Sequence, residues 1–224
     1  MLLFIMGDKM KKTMFFIIIF VVTFLIYYFN INKKTYYVSL GDFLSYGINN
    51  MDKVDNNYSN NIKQKYQSNL QNYVNYSSTD DYRVMDLMND INYNKTITHN
   101  NKEYKIQNLL IKANLITLSI GMNDLIYRKN LDYDYVDNLL NDIKDLLILI
   151  RKYNKDEIYF LSFYNIVGNQ ELIDYSNKKI KNICNKNKIK FVDISELSKY
   201  IKNGIYPTND GYTYITDKIL NFTK

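Results

Sequence analysis

Hydrophobic and polar positions along the chain follow two patterns, one typical of buried strands and one typical of amphipathic helices. Residues 115–120 form a continuous apolar run, the mark of a strand that is buried on both faces of a sheet. Between residues 136 and 150, apolar side chains recur three and four positions apart, which predicts a helix with one buried face. That face consists of Val136, Leu139, Leu140, Ile143, Leu146, Leu147 and Ile150.

Shorter segments continue this alternation along the chain. The pattern predicts strands at 36–40, 158–163 and 189–192 and helices at 62–70, 84–91 and 212–220. A further helix has a buried face of Leu172, Tyr175, Ile180, Ile183 and Cys184. Residues 96–98 and 104–106 predict a small hairpin around a turn at 99–102. Alternating strands and helices predict one α/β domain with a parallel sheet, helices on both faces and a site at the carboxyl ends of the strands.

The N-terminal segment has a different pattern from the rest of the chain. Residues 14–29 carry no charge and, with their neighbours, reach about 20 residues, enough to cross about 30 Å of hydrocarbon. Lys9, Lys11 and Lys12 precede this run, and no small-residue cleavage pattern follows it. We therefore expect a cytoplasmic tail over residues 1–12, a transmembrane signal anchor over 13–31 and an extracytoplasmic domain over 33–224, attached to the cell membrane.

Composition limits the chemistry that this chain can perform. Cys184 is the single cysteine and His99 the single histidine, which excludes an internal disulfide and the usual thiolate zinc site. We expect no metal and no cofactor. The formal net charge is +6, and a lysine-rich segment at 178–190 contributes to it. Since no nucleic-acid-binding motif accompanies these lysines, we expect no nucleic-acid partner and interpret them as a solvated surface.

Three short motifs occur at the ends of the predicted elements. Residues 41–47 read GDFLSYG after the first strand, residues 121–124 read GMND after the strand at 115–120, and residues 203–207 read NGIYP shortly before a Gly-Tyr pair that opens the last helix. In this order and context they resemble the GDS, GxND and DxxHP blocks of the SGNH (GDSL-type) hydrolases, a family of esterases and lipases. The resemblance covers about residues 36–222. It implies a three-layer α/β/α, flavodoxin-like fold.

The resemblance fails at all three positions of the family's catalytic triad. Phe43 replaces the nucleophilic serine, Asn203 the aspartate and Tyr206 the histidine. Ester hydrolysis needs a nucleophile, a general base and a group that orients the base. A phenyl ring has no nucleophilic atom, a tyrosine hydroxyl is a weak base at neutral pH, and an asparagine cannot stabilise an imidazolium by charge. Three substitutions together predict that hydrolysis is lost.

The resemblance assigns roles to five further residues at the same site. Asn123 matches the family's oxyanion donor, Gly41 and Asp42 form the turn after the first strand, Ser45 lies two positions beyond Phe43, and Asp81 stands where the second block has a glycine. We expect an inactive domain that binds a cell-envelope carbohydrate or an acyl ligand. An active esterase with Ser45 as its nucleophile is one alternative. A non-enzymatic interaction module for a membrane protein is the other.

Overall fold

The N-terminal segment and the remaining chain form two separate compact units, residues 1–34 and 35–224. The computed structural model describes residues 8–31, 34–48, 57–78, 81–202 and 204–222. The first unit contains one helix, α1 (Asp8–Ile31). Within the described residues, no helix has both the length and the apolar character that crossing a membrane requires, so the predicted span over 13–31 is not confirmed.

The second unit alternates strands and helices, as predicted. Its strands are β1 (Thr35–Gly41), β2 (Leu70–Ser77), β3 (Thr96–His99), β4 (Lys102–Lys105), β5 (Leu115–Ser119), β6 (Glu157–Leu161) and β7 (Lys190–Val192). Its helices are α2 (Phe43–Tyr46), α3 (Tyr58–Lys65), α4 (Val84–Asn92), α5 (Ile106–Lys112), α6 (Met122–Ile126), α7 (Tyr133–Tyr153), α8 (Gln170–Lys186) and α9 (Asn209–Leu220), with a 3₁₀ helix at Ser195–Tyr200.

Five of these strands form one parallel sheet in the order β2-β1-β5-β6-β7. This confirms the predicted α/β class with a parallel sheet. Every residue of β1 and β5 is buried, so both faces of the central strands are covered. The strand order reverses between β1 and β5, and such a reversal opens a crevice at the carboxyl ends of the two strands. The motifs at residues 41–47 and 121–124 follow these two strands.

The predicted buried faces of the two long helices are largely confirmed. All seven residues predicted for the buried face of α7 are buried. In α8, Tyr175 and Ile183 are partly buried and pack against the core, while Ile173 and Ser176 complete the buried face. The hydroxyl of Ser176 donates to the carbonyl oxygen of Leu172, which satisfies this polar group in the interior.

Strand β2 is the main element that the hydrophobic pattern misses. The predicted helix at 62–70 instead begins at residue 58, capped by Asn57, whose side chain accepts from the backbone N–H of Asn60, and ends at Lys65. The chain then enters β2, which pairs with β1 along its whole length. Because β2 is an edge strand with buried and partly exposed positions interspersed, it lacks the continuous apolar run of a central strand.

The predicted hairpin is confirmed as β3 and β4, which pair antiparallel. At its tip, Asn100 and Asn101 have φ angles of 49° and 59°. Two successive residues in the left-handed region form the tight turn that suits hairpins, and asparagine tolerates that region better than most residues. Helix α5 follows the hairpin directly and was not predicted.

Candidate functional site

The turn after β1 is hydrogen-bonded to the end of β5. The order of the strands in the sheet reverses between these two strands. Asp42 caps α2, because its Oδ1 accepts from the backbone N–H of Leu44 at 3.1 Å, and the same oxygen accepts from the Ser119 hydroxyl at the end of β5 at 3.0 Å. Gly41 has a φ of +132°, and a Cβ atom added there would lie 1.7 Å from the carbonyl oxygen of Ser119. Only glycine fits this close approach of the two backbones.

Phe43 and Tyr206, which the resemblance assigns to two of the triad positions, lie in contact. Their ring centroids are 5.5 Å apart and the ring planes meet at 82°, an edge-to-face arrangement. Phe43 is 1% exposed and Tyr206 is partly buried. Asn203, which the resemblance assigns to the third position, lies outside the described residues. The positions that the resemblance assigns to the nucleophile and the base therefore hold two aromatic rings in contact.

Asn123 lies near the start of α6, one residue after the β5 strand-end turn, and is also buried. Its Nδ2 donates to the carbonyl oxygen of Tyr82 at 3.0 Å. Its Oδ1 has no hydrogen-bond partner among the described residues. One of the two N–H groups of the amide to which the resemblance assigns an oxyanion role is thus engaged by the backbone of another loop. We refer to Asp42, Phe43, Asn123 and Tyr206 as the Phe43 cluster.

Two buried carboxyl groups lie at the ends of β1 and β5. Burial raises the pKa of Asp42 to about 7, against the hydrogen bonds from Ser119 and Leu44 that lower it. Burial likewise raises the pKa of Asp124 to about 6, although its Oδ2 accepts from the backbone N–H of Val84 at 3.2 Å. Asp42 Oδ2 has no hydrogen-bond partner among the described residues. Asp124 was not singled out from the sequence, and its role is to tie the start of α4 to α6.

Ser45 does not face an open crevice. Its hydroxyl donates to the carbonyl oxygen of Leu40 at 2.7 Å and lies 2.6 Å from the Tyr58 hydroxyl oxygen. The side chain is fully buried beneath α3. The structure therefore places Ser45 in an internal hydrogen-bond network and not beside the Phe43–Tyr206 contact.

Asp81 forms a surface ion pair with a neighbouring residue. Its two carboxylate oxygens accept from Nε and Nη2 of Arg83 at 2.7 and 2.9 Å, and its side chain is 56% exposed. Its φ angle is 37°, in the left-handed region that favours glycine. This explains why the hydrolase family, which the sequence resembles here, uses glycine at the position. It gives no sign of a ligand-binding role for the carboxylate.

Two buried tyrosines contact the segment of the C-terminal motif. Tyr212 belongs to the Gly-Tyr pair that the sequence analysis places at the start of the last helix, whereas Tyr164 was not singled out from the sequence. The Tyr164 hydroxyl donates to the carbonyl oxygen of Ile205 at 3.3 Å, next to Tyr206. The Tyr212 hydroxyl donates to the carbonyl oxygen of Ile48 at 2.6 Å. Burial raises the pKa of both tyrosines well above the ordinary value, so both hydroxyls remain donors. They anchor the loop that carries Tyr206 against the end of β6 and the segment after α2.

Comparison with known proteins assigns the fold of this domain. No family model and no curated protein matches the sequence. Solved structures do match: a lipolytic protein of the G-D-S-L family from Veillonella parvula is 14% identical with a TM-score of 0.61, covering 84% of this chain and 98% of its own. A catalytic mutant of an acetylxylan esterase from Geobacillus stearothermophilus is also 14% identical, with a TM-score of 0.61 and coverage of 85% and 95%.

A third similar structure is a protein from Desulfitobacterium hafniense that is assigned to the G-D-S-L family of lipolytic proteins. It is 14% identical with a TM-score of 0.60 and covers 83% of this chain and 97% of its own. At such low identity the agreement concerns the fold, and it extends over nearly the whole length of these proteins. The second unit of this chain therefore has the SGNH-type fold of the GDSL lipases and esterases.

Proposed function

We propose that this protein is a non-catalytic SGNH-fold protein that does not hydrolyse esters. The observation that carries the proposal is Phe43 at the start of α2, buried and packed edge-to-face on Tyr206. A serine there needs an imidazole within hydrogen-bond reach to become a nucleophile. Here both positions hold aromatic rings, and neither ring supplies a nucleophilic oxygen activated by a base.

The oxyanion side of the site supports the same proposal. Stabilising a tetrahedral intermediate requires a hydrogen-bond donor aimed at the oxygen that becomes negative. The Nδ2 of Asn123 donates instead to the carbonyl oxygen of Tyr82. The amide carries a second N–H, but Asn123 is 1% exposed, so a substrate oxygen could reach that N–H only after the surrounding residues move.

The alternative of an active esterase that uses Ser45 has less support. A nucleophile must reach a substrate carbonyl, whereas the Ser45 hydroxyl is buried between Leu40 and Tyr58. Binding of a carbohydrate or an acyl ligand directly on the Phe43 cluster is also disfavoured, because Phe43 and Asn123 are each 1% exposed and offer almost no surface. If the protein binds a ligand, a different surface of the domain is the better candidate.

The proposal is tested with a chromogenic acetyl ester and the purified full chain in a mild detergent. The wild-type protein is compared with a Phe43→Ser/Asn203→Asp/Tyr206→His variant, which restores the residue types of the family. We expect no wild-type turnover above the spontaneous rate and a measurable rate for the variant. Wild-type turnover that Ser45→Ala abolishes would contradict the proposal and establish the alternative.

We also propose that the N-terminal segment attaches the domain to the cell membrane, with the domain on the extracytoplasmic side. The support is the uncharged run at residues 14–29 and the exposure of every side chain from Phe15 to Leu25 in α1. An exposed apolar surface of this size favours contact with lipid over water. Cell fractionation should recover the full chain with membranes and a variant lacking residues 1–31 in the soluble fraction. Recovery of the full chain in the soluble fraction would contradict the attachment.

A further inference from the structure

A polar cavity of about 350 Å³ opens at the β2 edge of the sheet. Neither Phe43 nor Tyr206 lines it, so it is distinct from the Phe43 cluster. Helix α3 and its cap, strand β2, the tip of the β3–β4 hairpin and the end of α2 surround it. The lining residues are Tyr46, Asn57, Asn60, Lys63, Tyr73, Asn75, Ser77, Thr98, His99 and Asn100.

The spacing of the lining residues explains how they meet at one place. Asn57, Asn60 and Lys63 follow one another at intervals of three, which places them on one face of α3 and its cap. The β2 residues occupy alternate positions, so their side chains point to the same face of the sheet. These are Tyr73, Asn75 and Ser77. The hairpin tip closes the third side.

Several polar groups of the cavity are held in place by the fold. Asn75 Nδ2 donates to the carbonyl oxygen of Ser45 at 2.9 Å, and Asn75 Oδ1 accepts from the Ser77 hydroxyl at 2.5 Å. Asn57 Oδ1 accepts from the Asn60 backbone N–H at 3.0 Å. Side chains fixed by such contacts lose little conformational entropy when a ligand binds.

The charge of the cavity favours an anion. Among the residues that the structure describes, no carboxylate lines it. The ammonium group in this described lining belongs to Lys63, whose Nζ lies 5.4 Å from the centroid of the Tyr73 ring. This cation–π contact places the positive charge beside the cavity. The Tyr73 ring also makes an edge-to-face contact with the ring of His99.

The neutral groups of the cavity favour a ligand rich in hydroxyl groups. Asparagine side chains both donate and accept, and so do the hydroxyls of serine, threonine and tyrosine. Sugar hydroxyls require partners of this dual kind. From this lining we propose that the cavity binds a sugar unit that carries an anionic group, a carboxylate or a phosphate, with the anionic group directed at Lys63.

A second cavity adjoins the first one. It measures about 250 Å³ and shares Asn75, Ser77 and Thr98 with the first cavity. It also contains Asp90, whose carboxylate accepts from the hydroxyls of Tyr76 and Tyr82 and pairs with Lys95 at 3.1 Å. Since Tyr76 follows Asn75 by one position, its side chain points to the other face of the sheet, and the proposed ligand occupies the first cavity alone.

Binding at this cavity requires no chemistry at the Phe43 cluster. The binding proposal can therefore fail without affecting the proposed absence of hydrolysis, and the reverse is also true. The test is a ligand-observed NMR titration of the full chain, in a mild detergent, with methyl glucuronide, glucose 6-phosphate and methyl glucoside. The variants are Lys63→Gln, which removes the charge beside the cavity, and Lys65→Gln, a matched control on the exposed side of the same helix. Thermal unfolding of both variants verifies that they remain folded.

We expect at least one of the two anionic sugars to bind more tightly than methyl glucoside. Lys63→Gln should weaken its binding about tenfold, the effect of losing one charge-assisted hydrogen bond, and Lys65→Gln should leave it unchanged. A response to methyl glucuronide alone identifies a carboxylate ligand, and a response to glucose 6-phosphate alone identifies a phosphate ligand. Absence of preference for both anions, or equal effects of the two substitutions, would overturn the proposal.

Discussion

The Phe43 cluster and the polar cavity beside β2 lie near the same end of the sheet but differ in what fills them. In the cluster, two aromatic rings pack edge-to-face, and the polar atoms of Asp42 and Asn123 are buried with them. In the cavity, the side chains are amides, hydroxyls and one ammonium group, and many are partly exposed. The first region is built as protein core, and the second is built as a surface that can exchange water for a ligand.

This difference shows which part of the SGNH-type fold is packed as interior and which part is open to a ligand. The turn at Gly41 and the cap at Asp42 hold β1, β5 and α2 together. The Phe43 cluster should therefore contribute chiefly to stability. Exposed residues of the cavity, such as Thr98, should contribute little to stability, because their contacts are replaced by water when they are removed. The predictions below test this contrast, from the largest effect to the smallest.

Gly41→Ala should have the largest effect on stability. The added Cβ would overlap the Ser119 carbonyl oxygen, and the φ of +132° is strained for alanine. We expect a loss of about 5 kcal/mol in the free energy of unfolding, at the upper end of single substitutions, measured by chemical denaturation. Gly168→Ala is the matched control, since Gly168 also has a positive φ, of 76°, but no atom lies within 4 Å of the added Cβ. Its loss should be about 1 kcal/mol, and equal losses would contradict the account of the strand contact.

Phe43→Ala should destabilise the protein by about 3 kcal/mol, because it removes a buried ring and its contact with Tyr206. Thr98→Ala, at an exposed position that lines the cavity, should change the free energy of unfolding by no more than about 0.5 kcal/mol. Urea unfolding of both variants measures the contrast directly. Comparable effects at the two positions would show that the Phe43 cluster is not part of the core.

The stability of the folded domain should decrease as the pH rises from 5 to 7. Asp42 and Asp124 have folded-state pKa values of about 7 and about 6, above the ordinary value of 3.8. In this window the folded state retains protons that the unfolded state has released, so the free energy of unfolding falls with pH, by about 2 kcal/mol per unit for the two groups together. Below pH 4 both states are protonated and the contribution is complete.

Asp42→Asn is the variant that tests this pH dependence. An asparagine keeps an oxygen that accepts from Leu44 and Ser119 but does not titrate. Unfolding free energies measured at pH 5, 6, 7 and 8 should have a smaller slope for the variant than for the wild type. Identical slopes would mean that Asp42 titrates near its ordinary pKa and that its burial has been misjudged.

Ser45→Ala should have the smallest effect among the buried positions, a loss of about 1 kcal/mol in stability. It removes the hydrogen bond to the Leu40 carbonyl oxygen and the contact with the Tyr58 hydroxyl. Thermal unfolding checks the loss. Since Ser45 lies in the interior, the same variant should bind methyl glucuronide and glucose 6-phosphate as the wild type does. Altered binding would place Ser45 at a ligand surface and would weaken the contrast between the two regions.

The fold was predictable from the sequence wherever burial is complete on one or both faces. The apolar run of β5 and the seven buried positions of α7 follow directly from the printed residues. Strand β2 escaped because its exposed edge admits asparagine and tyrosine, and its structure depends on pairing with β1. Helix α5 escaped because only seven residues separate the hairpin from Ala113, too few for a clear helical period.

The candidate site was predictable only in part. The motifs assign Phe43 and Tyr206 to one site, and in the structure their rings are in contact. The orientation of the Asn123 amide toward Tyr82 depends on a loop contact across about forty positions of sequence, which no motif encodes. The polar cavity combines α3, β2 and the hairpin. Because strand β2 was not predicted, the sequence analysis could not bring the residues of this cavity together.

The most direct test of the central claim is the intact mass of the full chain after incubation with excess fluorophosphonate, a reagent that forms a covalent adduct with an activated serine. The Phe43→Ser/Asn203→Asp/Tyr206→His variant is the comparison. The account predicts an unmodified mass for the wild-type protein and an adduct on Ser at position 43 of the variant. A stoichiometric adduct on the wild-type chain would contradict the claim that this SGNH-type domain has no catalytic nucleophile, and the modified peptide would identify the residue responsible.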